Sequence, residues 1–312
     1  MRLFLPLLLS LTIATPALAK LNVFACEPAW GALSQVIGGD DVRVVTATTA
    51  AQDPHHIQAR PSLIARLRRA DLLVCSDAEL EIGWLPLLLR QANNPAVAVG
   101  TPGYLAASDF VTMLDIPTRI DRAEGDVHPF GNPHIQTDPR NILPVADALA
   151  ARLAKLDPTH ADGYRQRHDA FVGRFRAAIQ RWEREAAPLR GVAVVVHHHG
   201  WTYLERWLGL RQVGTLEERP GVPPSTAHLA DLLHQLKATP AQMVIRAPYQ
   251  DRHASEWLAH RVAVREVLLP FTVGGTPEAK DLFALYDDTV HRLLAALPAA
   301  AVAPGAAKDV GR

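Results

Sequence analysis

Histidine is the residue type in this sequence whose placement best fits a chemical role. His197, His198 and His199 directly follow an apolar β-branched run, VAVVV, and precede an amphipathic helical pattern. His55 and His56 follow the strand-like stretch VRVVTAT. Neutral imidazole is a preferred zinc ligand, and its charge changes near neutral pH.

A further histidine, His134, lies in GNPHIQTDP, just before a predicted helix. Zinc often takes three protein nitrogens and one further donor. Three separated loops that each contribute one of these histidines could therefore supply most of a zinc shell. A loop histidine taken alone is more often structural than a ligand, and it is the joint pattern that points to a metal site.

The overall composition excludes some classes of partner and leaves the cysteines open. Lys plus Arg and Asp plus Glu both number 32, so no charge excess attracts nucleic acid or an anionic membrane. Two cysteines stand against 14 histidines and cannot form a zinc-thiolate site by themselves. Cys26 and Cys75 end two predicted strands, so a disulfide and two buried thiols are both consistent with the sequence.

Alternating patterns predict the elements that must position these histidines. From Lys20 the chain reads as strand LNVFAC, helix AWGALSQVIGG, strand VRVVTAT, helix SLIARLRRA and strand DLLVCS. Helix GWLPLLLRQAN, a short strand PAVAVG and an irregular stretch from Thr101 to Pro133 follow, and a helix over TDPRNILPVADALAARLAKL ends the series. This alternation predicts a parallel sheet flanked by helices.

A second series of the same kind begins after a long helical pattern. About 29 residues after Asp157-Pro158 have apolar residues at three- to four-residue steps, which gives a rod of ~43 Å. We interpret it as a rigid backbone helix that joins two α/β lobes, although one long helix within a single domain is also possible. The predicted organisation is a signal peptide (1–19), an N-terminal lobe (20–156), the linking helix (157–188), a C-terminal lobe (189–298) and a disordered tail (299–312).

The N-terminus predicts export. The segment MRLFLPLLLSLTIATPALA combines Arg2, an apolar run and a small-residue cleavage motif before Lys20. The apolar run is shorter than the ~20 residues that span a bilayer. Residue 20 is lysine rather than cysteine, so lipid anchoring at that point is not indicated. We therefore expect a free protein in the periplasm of a Gram-negative cell.

The carboxyl ends of parallel strands are where ligands bind in open α/β sheets. His55 and His198 lie at such ends, whereas His134 lies at a helix entrance. Other histidines fall in or beside helical patterns, where a structural role is expected: His160, His168, His228, His234, His260 and His291.

Three motifs resemble one known family. DPHHIQARPSLIARLRRADLLV, NPHIQTDPRN and VVVHHHGWTYLERWLGL occur in the order typical of the zinc- and manganese-specific solute-binding proteins of ABC importers, the ZnuA/TroA-like family (cluster A-I). Together with the long helix, the resemblance covers nearly all of the chain after the signal peptide. It implies two lobes bridged by one rigid helix, with the metal in the cleft between them.

The resemblance also implies the ligands. By motif these are His55, His134 and His198, with His199 as an alternative register for the last. The family's usual carboxylate ligand is missing, because Pro54 precedes His55 and the late loop reads LLPFTVGG. Water, His56, His128 or another carboxylate could be the fourth donor.

The family resemblance further implies a metal receptor that is not an enzyme. A nitrogen-rich shell favours zinc over manganese as the transported ligand. The expected partner is an ABC transporter membrane permease, and a monomer is expected. A zinc-dependent hydrolase is an alternative, although the chain has no HExxH motif and no acidic residue next to a ligand in sequence. A receptor for haem or a metal chelate is the other alternative.

Overall fold

The computed structural model describes residues 19–119 and 125–298, which form two α/β lobes. The elements, in chain order, are β1 (Leu21–Ala25), α1 (Pro28–Gly38), β2 (Val42–Thr46), α2 (Pro61–Leu67), β3 (Leu72–Cys75), α3 (Leu85–Ala92), β4 (Tyr104–Ala106), α4 (Pro139–Leu156), α5 (Ala161–Glu185), β5 (Ala193–Val196), α6 (Thr202–Leu208), β6 (Arg211–Thr215), α7 (Thr226–Ala238), β7 (Met243–Arg246), α8 (Arg252–Val262), β8 (Arg265–Leu268) and α9 (Leu282–Ala296).

Each lobe contains a four-stranded sheet in which every pairing is parallel. The strand order is β2-β1-β3-β4 in the first lobe and β6-β5-β7-β8 in the second. The central strand β5, with sequence AVVV, is buried along its whole length because helices cover both faces of the sheet. The predicted α/β class with two parallel sheets is confirmed. The carboxyl ends of the strands within each sheet consequently share one edge.

The fourth strand of the first lobe does not lie where the sequence pattern predicts it. PAVAVG contains a 3-10 turn at Pro95–Val97, and the strand is Tyr104–Ala106, inside the stretch predicted to be irregular. Asn94 caps the turn by accepting a hydrogen bond from the Ala96 N–H. The chain therefore turns at PAVAVG and enters the sheet only where Tyr104 pairs with Leu73.

Helix α5 joins the two lobes. It has 25 residues, about 37 Å at 1.5 Å per residue, and is shorter than predicted because 3-10 turns flank it at both ends. Near its start, Arg167 donates to the Ile37 and Gly38 carbonyls at the end of α1, at 2.8 and 2.9 Å. Near its end, the Trp182 indole N–H donates to Asp287 of α9, at 2.6 Å. The predicted linking role of a long helix is confirmed.

One continuous hydrophobic core extends through both lobes. The aromatic residues of α5 pack against one another and against α9, with Phe175 5.2 Å from Phe283 and Trp182 5.2 Å from Tyr286 between ring centroids. The same core includes Trp30 of the first lobe. Because close-packed interiors resist deformation, this shared core limits the movement of one lobe relative to the other.

The two cysteines form a disulfide between neighbouring strands of the first sheet. Cys26 follows β1 and Cys75 ends β3, and their Cα atoms are 4.8 Å apart. Both side chains are fully buried. Of the two alternatives that the sequence left open, the structure has the disulfide.

The predicted disordered tail (299–312) and all but the last residue of the predicted signal peptide (1–19) lie outside the described residues. The final helix begins at Leu282, because Asp281 caps it by accepting from the N–H groups of Phe283 and Ala284. Within the described ranges, no helix is long and apolar enough to cross a membrane.

Candidate metal centre

Three loops bring histidines to the cleft between the lobes. His55 lies in the loop after β2, and His198 lies two residues after β5, so both are at the carboxyl edge of their sheets. His134 precedes the 3-10 turn Ile135–Thr137 that leads into α4. The Asn132 side chain accepts a hydrogen bond from the His134 N–H, at 3.1 Å, and so fixes the backbone at that point.

The three imidazoles form a nearly equilateral triangle. Ring centroids are 5.2 Å apart for His55 and His134, 5.5 Å for His55 and His198, and 5.4 Å for His134 and His198. One ring nitrogen from each lies within 4.8 Å of the others. All three side chains are buried. The structure therefore brings together the three residues singled out from the sequence.

His134 has no hydrogen-bond partner at either ring nitrogen, although it is completely buried. Burial, followed by the charges of His55 and His198, holds its pKa well below the usual 6.5, so the ring is neutral. The edge of the Phe271 ring packs against it, with centroids 5.0 Å apart. A buried polar atom without a partner costs about 1–3 kcal/mol, so this neutral nitrogen donor is suited to a ligand.

His55 is oriented by a carboxylate on the side away from the triangle. Its Nδ1 lies 2.7 Å from Asp53 Oδ1, which also accepts from the His55 backbone N–H, at 3.0 Å. Burial alone would raise the pKa of Asp53, but the hydrogen bond and charge of His55 outweigh it and lower that pKa. An ionised Asp53 holds the proton on Nδ1 and leaves Nε2 free to bind an ion.

His198 has an equivalent partner in the second lobe. Its Nδ1 lies 2.8 Å from Glu217 Oε2, and both side chains are largely buried. No acidic residue is adjacent to a ligand in sequence, but Asp53 and Glu217 each contact one in space. Both bind Nδ1, the nitrogen that points away from the other imidazoles, so they orient the rings.

The neighbours of His198 have separate contacts. His199 Nδ1 lies 3.1 Å from Gln212 Oε1, and its Nε2 lies 3.0 Å from Asp115 Oδ2. His197 Nε2 is 3.8 Å from Glu217 Oε1, which places His197 behind the same carboxylate. Of the two registers left open by the sequence, the structure directs His198 toward His55 and His134.

A fourth histidine stands beside the triangle. The Nε2 atoms of His128 and His55 are 3.3 Å apart, and the centroids of His128 and His134 are 6.3 Å apart. Burial, followed by the charges of His55 and His198, lowers the pKa of His128 to about 3. His56, the other histidine considered as a fourth donor, is exposed, and its Nε2 lies 3.7 Å from Asp126.

Gly200 allows the ligand loops to pack closely. A Cβ atom at this position would lie 3.0 Å from His134 Cδ2 and 3.2 Å from His198 Cδ2, closer than side chains normally approach. A side chain here would push two of the imidazoles apart. Glycine is therefore required by the geometry of the centre rather than by its backbone angles.

A cavity of about 290 Å³ opens on the centre, and four carboxylate side chains line it. It is lined by His55 and His198 together with Asp53, Asp126, Glu217 and Asp251. The histidines that sequence patterns assigned to helices bond elsewhere: His160 contacts Asp157, and His168 contacts Asp147. Buried imidazoles behind an acidic opening are suited to a divalent cation that prefers nitrogen ligands.

A comparison with known proteins identifies a matching protein family. The sequence model of the ZnuA family, described as "zinc-uptake complex component A periplasmic", matches residues 23–296. An iron-binding protein of Yersinia pestis, YfeA, is 25% identical over 210 residues, which cover 66% of this chain and 63% of that protein. PsaA of Streptococcus pneumoniae, a manganese ABC transporter substrate-binding lipoprotein, is 23% identical over 225 residues, 70% of this chain and 69% of the relative.

Solved structures share the fold. A zinc-bound ZnuA with residues 138–173 of its own chain deleted superposes with a TM-score of 0.73, covers 90% of this chain and 99% of its own, and is 24% identical. The aligned region of this chain spans less than two thirds of YfeA and about half of some other curated relatives. The names of these relatives include iron, manganese and zinc, so similarity alone does not assign the metal.

Proposed function

We propose that this chain, which belongs to the ZnuA family of periplasmic zinc-uptake components, captures zinc with His55, His134 and His198 and delivers it to a membrane permease. Members of this family are solute-binding proteins of metal ABC importers and not enzymes. We further propose that the segment 1–19 exports this chain to the periplasm. We also propose the domain organisation predicted from the sequence, in which lobes 20–156 and 189–298 lie on either side of a linking region 157–188 and a tail begins at 299.

The single observation that carries the proposal is the buried His134 with two unpartnered nitrogens inside a triangle of imidazoles. Three donors within 4.8 Å of one another can each reach a central ion at zinc–nitrogen distances of ~2.0–2.1 Å after small movements. Both other histidines keep Nδ1 on a carboxylate, which leaves Nε2 for the ion.

His128 is the fourth donor in this proposal. Two nitrogens bound to one tetrahedral zinc at ~2.0–2.1 Å are separated by about 3.3–3.4 Å. The separation between the Nε2 atoms of His128 and His55, 3.3 Å, matches that edge.

A shell of four imidazoles favours zinc over manganese. Manganese prefers oxygen donors, and the carboxylates nearest the centre, Asp53 and Glu217, are engaged with Nδ1 atoms. Imidazole binds zinc well, and zinc accepts four-coordinate tetrahedral geometry without loss. Copper would bind such a shell tightly too, so zinc as cargo also depends on which metal the compartment supplies.

Delivery requires release without wide opening of the lobes. Helix α5 and the shared core restrain the lobes, so we propose that docking on the permease shifts the ligand loops rather than separating the domains. The loops after β2 and β5 and the segment before α4 are the parts that would move. The proposed partner is the permease alone, with the receptor acting as a monomer.

The test is uptake in cells. A strain without this receptor is grown with a periplasmic zinc chelator and complemented with the wild type, His134→Ala or His291→Ala, and cell-associated zinc and manganese are measured by elemental analysis. Zinc accumulation restored by the wild type and His291→Ala but not by His134→Ala supports the proposal. Restoration of manganese without zinc, or full activity of His134→Ala at equal protein levels, contradicts it.

A further inference from the structure

We propose that Asp115 and Asn132 are positioning residues that clamp the two ligand-bearing loops together across the cleft, and that this clamp sets the rate at which the bound metal leaves. The inter-loop clamp is defined as Asp115, Asn132, His199 and Thr202. The inference rests on the proposed metal-binding function and adds a determinant of release to it.

Asn132 uses its side chain to connect both ligand loops. Its Oδ1 accepts a hydrogen bond from the His134 backbone N–H, at 3.1 Å. Its Nδ2 donates a hydrogen bond to the His199 carbonyl, at 2.9 Å. Asn132 lies two residues from the ligand His134, and His199 directly follows the ligand His198. One buried amide therefore joins the backbones beside a ligand of the first lobe and a ligand of the second.

Asp115 closes the clamp from the segment between β4 and α4. Its Oδ2 accepts from Thr202 Oγ1, at 2.6 Å, and from Asn132 Nδ2, at 3.2 Å. The same oxygen lies 3.0 Å from His199 Nε2. Asp115 has a left-handed φ of 53°, a conformation that is rare for a residue with a side chain. The backbone is thus held in a costly conformation at the point where this carboxylate reaches the second lobe.

A second connection runs beside the first. Tyr203 donates its hydroxyl to the Asn132 carbonyl, at 2.8 Å, and accepts from the Leu114 N–H, at 3.1 Å. The Asn132 N–H in turn donates to the Leu114 carbonyl, at 2.7 Å. Every polar group of Asn132 is therefore hydrogen-bonded, and its Nδ2 and its backbone carbonyl join the first lobe to the second.

The consequence for binding follows from preorganisation. A ligand set that is already held at binding distance loses little freedom when the ion enters. If the clamp were absent, the ion would have to hold the His134 and His198 loops together itself, and each transient separation would remove a donor. Weakening the clamp should therefore raise the release rate more than it changes the association rate, while the same ligands bind the ion.

The main variant is Asn132→Asp. The aspartate keeps an acceptor for the His134 N–H and almost the same shape, but it places a carboxylate oxygen against the His199 carbonyl and the Asp115 carboxylate. Zinc release from the full-length mature protein is measured by stopped-flow with an excess of a fluorescent chelator. We expect release at least tenfold faster, with an association rate within about threefold of the wild type.

Four further variants separate positioning from general destabilisation. Asp115→Ala removes all three contacts to Oδ2, whereas Asp115→Asn keeps an acceptor for Thr202 and Asn132 and should restore part of the slow release. Thr202→Val removes only the hydroxyl and serves if Asn132→Asp does not fold, with an expected increase of at least threefold. Asp162→Asn, at an exposed carboxylate on α5, is the matched control and should leave release unchanged.

The absorption spectrum of bound cobalt(II) reports the ligand set. An unchanged visible spectrum together with faster release in the clamp variants supports the proposal. Unchanged release in Asn132→Asp and Thr202→Val, with zinc still bound by the wild type and lost in His134→Ala, overturns the clamp and leaves the metal site standing. A changed cobalt spectrum also overturns it, because the residues would then alter the ligands. Failure of the wild type to bind zinc would instead overturn the proposed function.

Discussion

The Nε2 atoms of His55 and His128 lie 3.3 Å apart, a distance at which one ring can donate a hydrogen bond to the other or both can bind one ion. His55 comes from the loop after β2, and His128 comes from the segment that leads to His134. We propose that His128 takes the place of the carboxylate ligand that is usual in the family. This substitution is the reason for assigning zinc rather than manganese to the centre.

Loss of any one imidazole of the triangle should weaken zinc binding. We expect His55→Ala, His134→Ala and His198→Ala each to lower the affinity at least tenfold, because each removes one zinc–nitrogen bond. His160→Ala and His291→Ala, away from the centre, are the controls. Titration against a competing zinc chelator measures the effect, and wild-type affinity in one of the first three variants would remove that residue from the shell.

The carboxylates behind the ligands should matter nearly as much as the ligands. Asp53→Asn and Glu217→Gln leave an amide that no longer holds the Nδ1 proton firmly, and loss of such outer partners typically costs 10–100-fold in metal affinity. Asp126→Asn is the matched control, because Asp126 lines the same cavity but its nearest histidine is the exposed His56. Equal affinities for all three variants would show that Nδ1 orientation is unimportant here.

The metal-free protein should become less stable in acid through His134. Burial lowers the folded-state pKa of His134 below the ~6.5 of an unfolded chain. As the pH falls below about 6.5, the unfolded state takes up a proton at His134 that the folded state does not. The contribution of His134 to the free energy of unfolding is therefore complete above that pH and is lost as the pH falls below it. One pH unit corresponds to about 1.4 kcal/mol.

Urea unfolding at pH 7.5 and 5.5 tests this sign. The wild type should lose about 1.4 kcal/mol more of its unfolding free energy between these pH values than His134→Gln does. Comparison with the variant cancels the contributions of the other histidines. Parallel losses in the two proteins would mean that His134 takes up its proton in the folded state as readily as in the unfolded one.

The disulfide should contribute to stability and not to binding. Cys26 and Cys75 are separated by 49 residues, and closing a loop of that size in the unfolded chain stabilises a protein by about 2–4 kcal/mol. The double variant Cys26→Ala, Cys75→Ala should therefore unfold at lower denaturant concentration and retain its zinc affinity, because neither cysteine contacts a ligand histidine. A loss of zinc affinity in the folded variant would contradict this.

Much of the centre was predictable from where strands end. His55 and His198 follow β2 and β5, and parallel strands put such residues at one edge, whereas His134 was identified by its resemblance to a family motif. Glu217 was missed although the same rule could have found it. It follows β6, which pairs with β5, so its carboxylate reaches His198.

Other features depend on contacts that have no local pattern. Asp53 stands two residues before His55 in DPHH, but whether its carboxylate faces the ring is decided by the turn. His128 and Asp115 lie in an irregular stretch whose course is set by hydrogen bonds with the second lobe, such as that between Leu114 and Tyr203. The strand at Tyr104–Ala106 was missed because its place is set by pairing with β3 and not by an apolar run.

X-ray absorption at the zinc edge, on the metal-loaded protein at pH 7.5, tests the central assignment most directly. The account predicts a first shell of four nitrogens at ~2.0–2.1 Å with the outer scattering of imidazole rings, and one oxygen in place of a nitrogen in His128→Ala. A wild-type shell dominated by oxygen, or one with fewer than three imidazoles, would contradict the assignment of His55, His134 and His198 as zinc ligands.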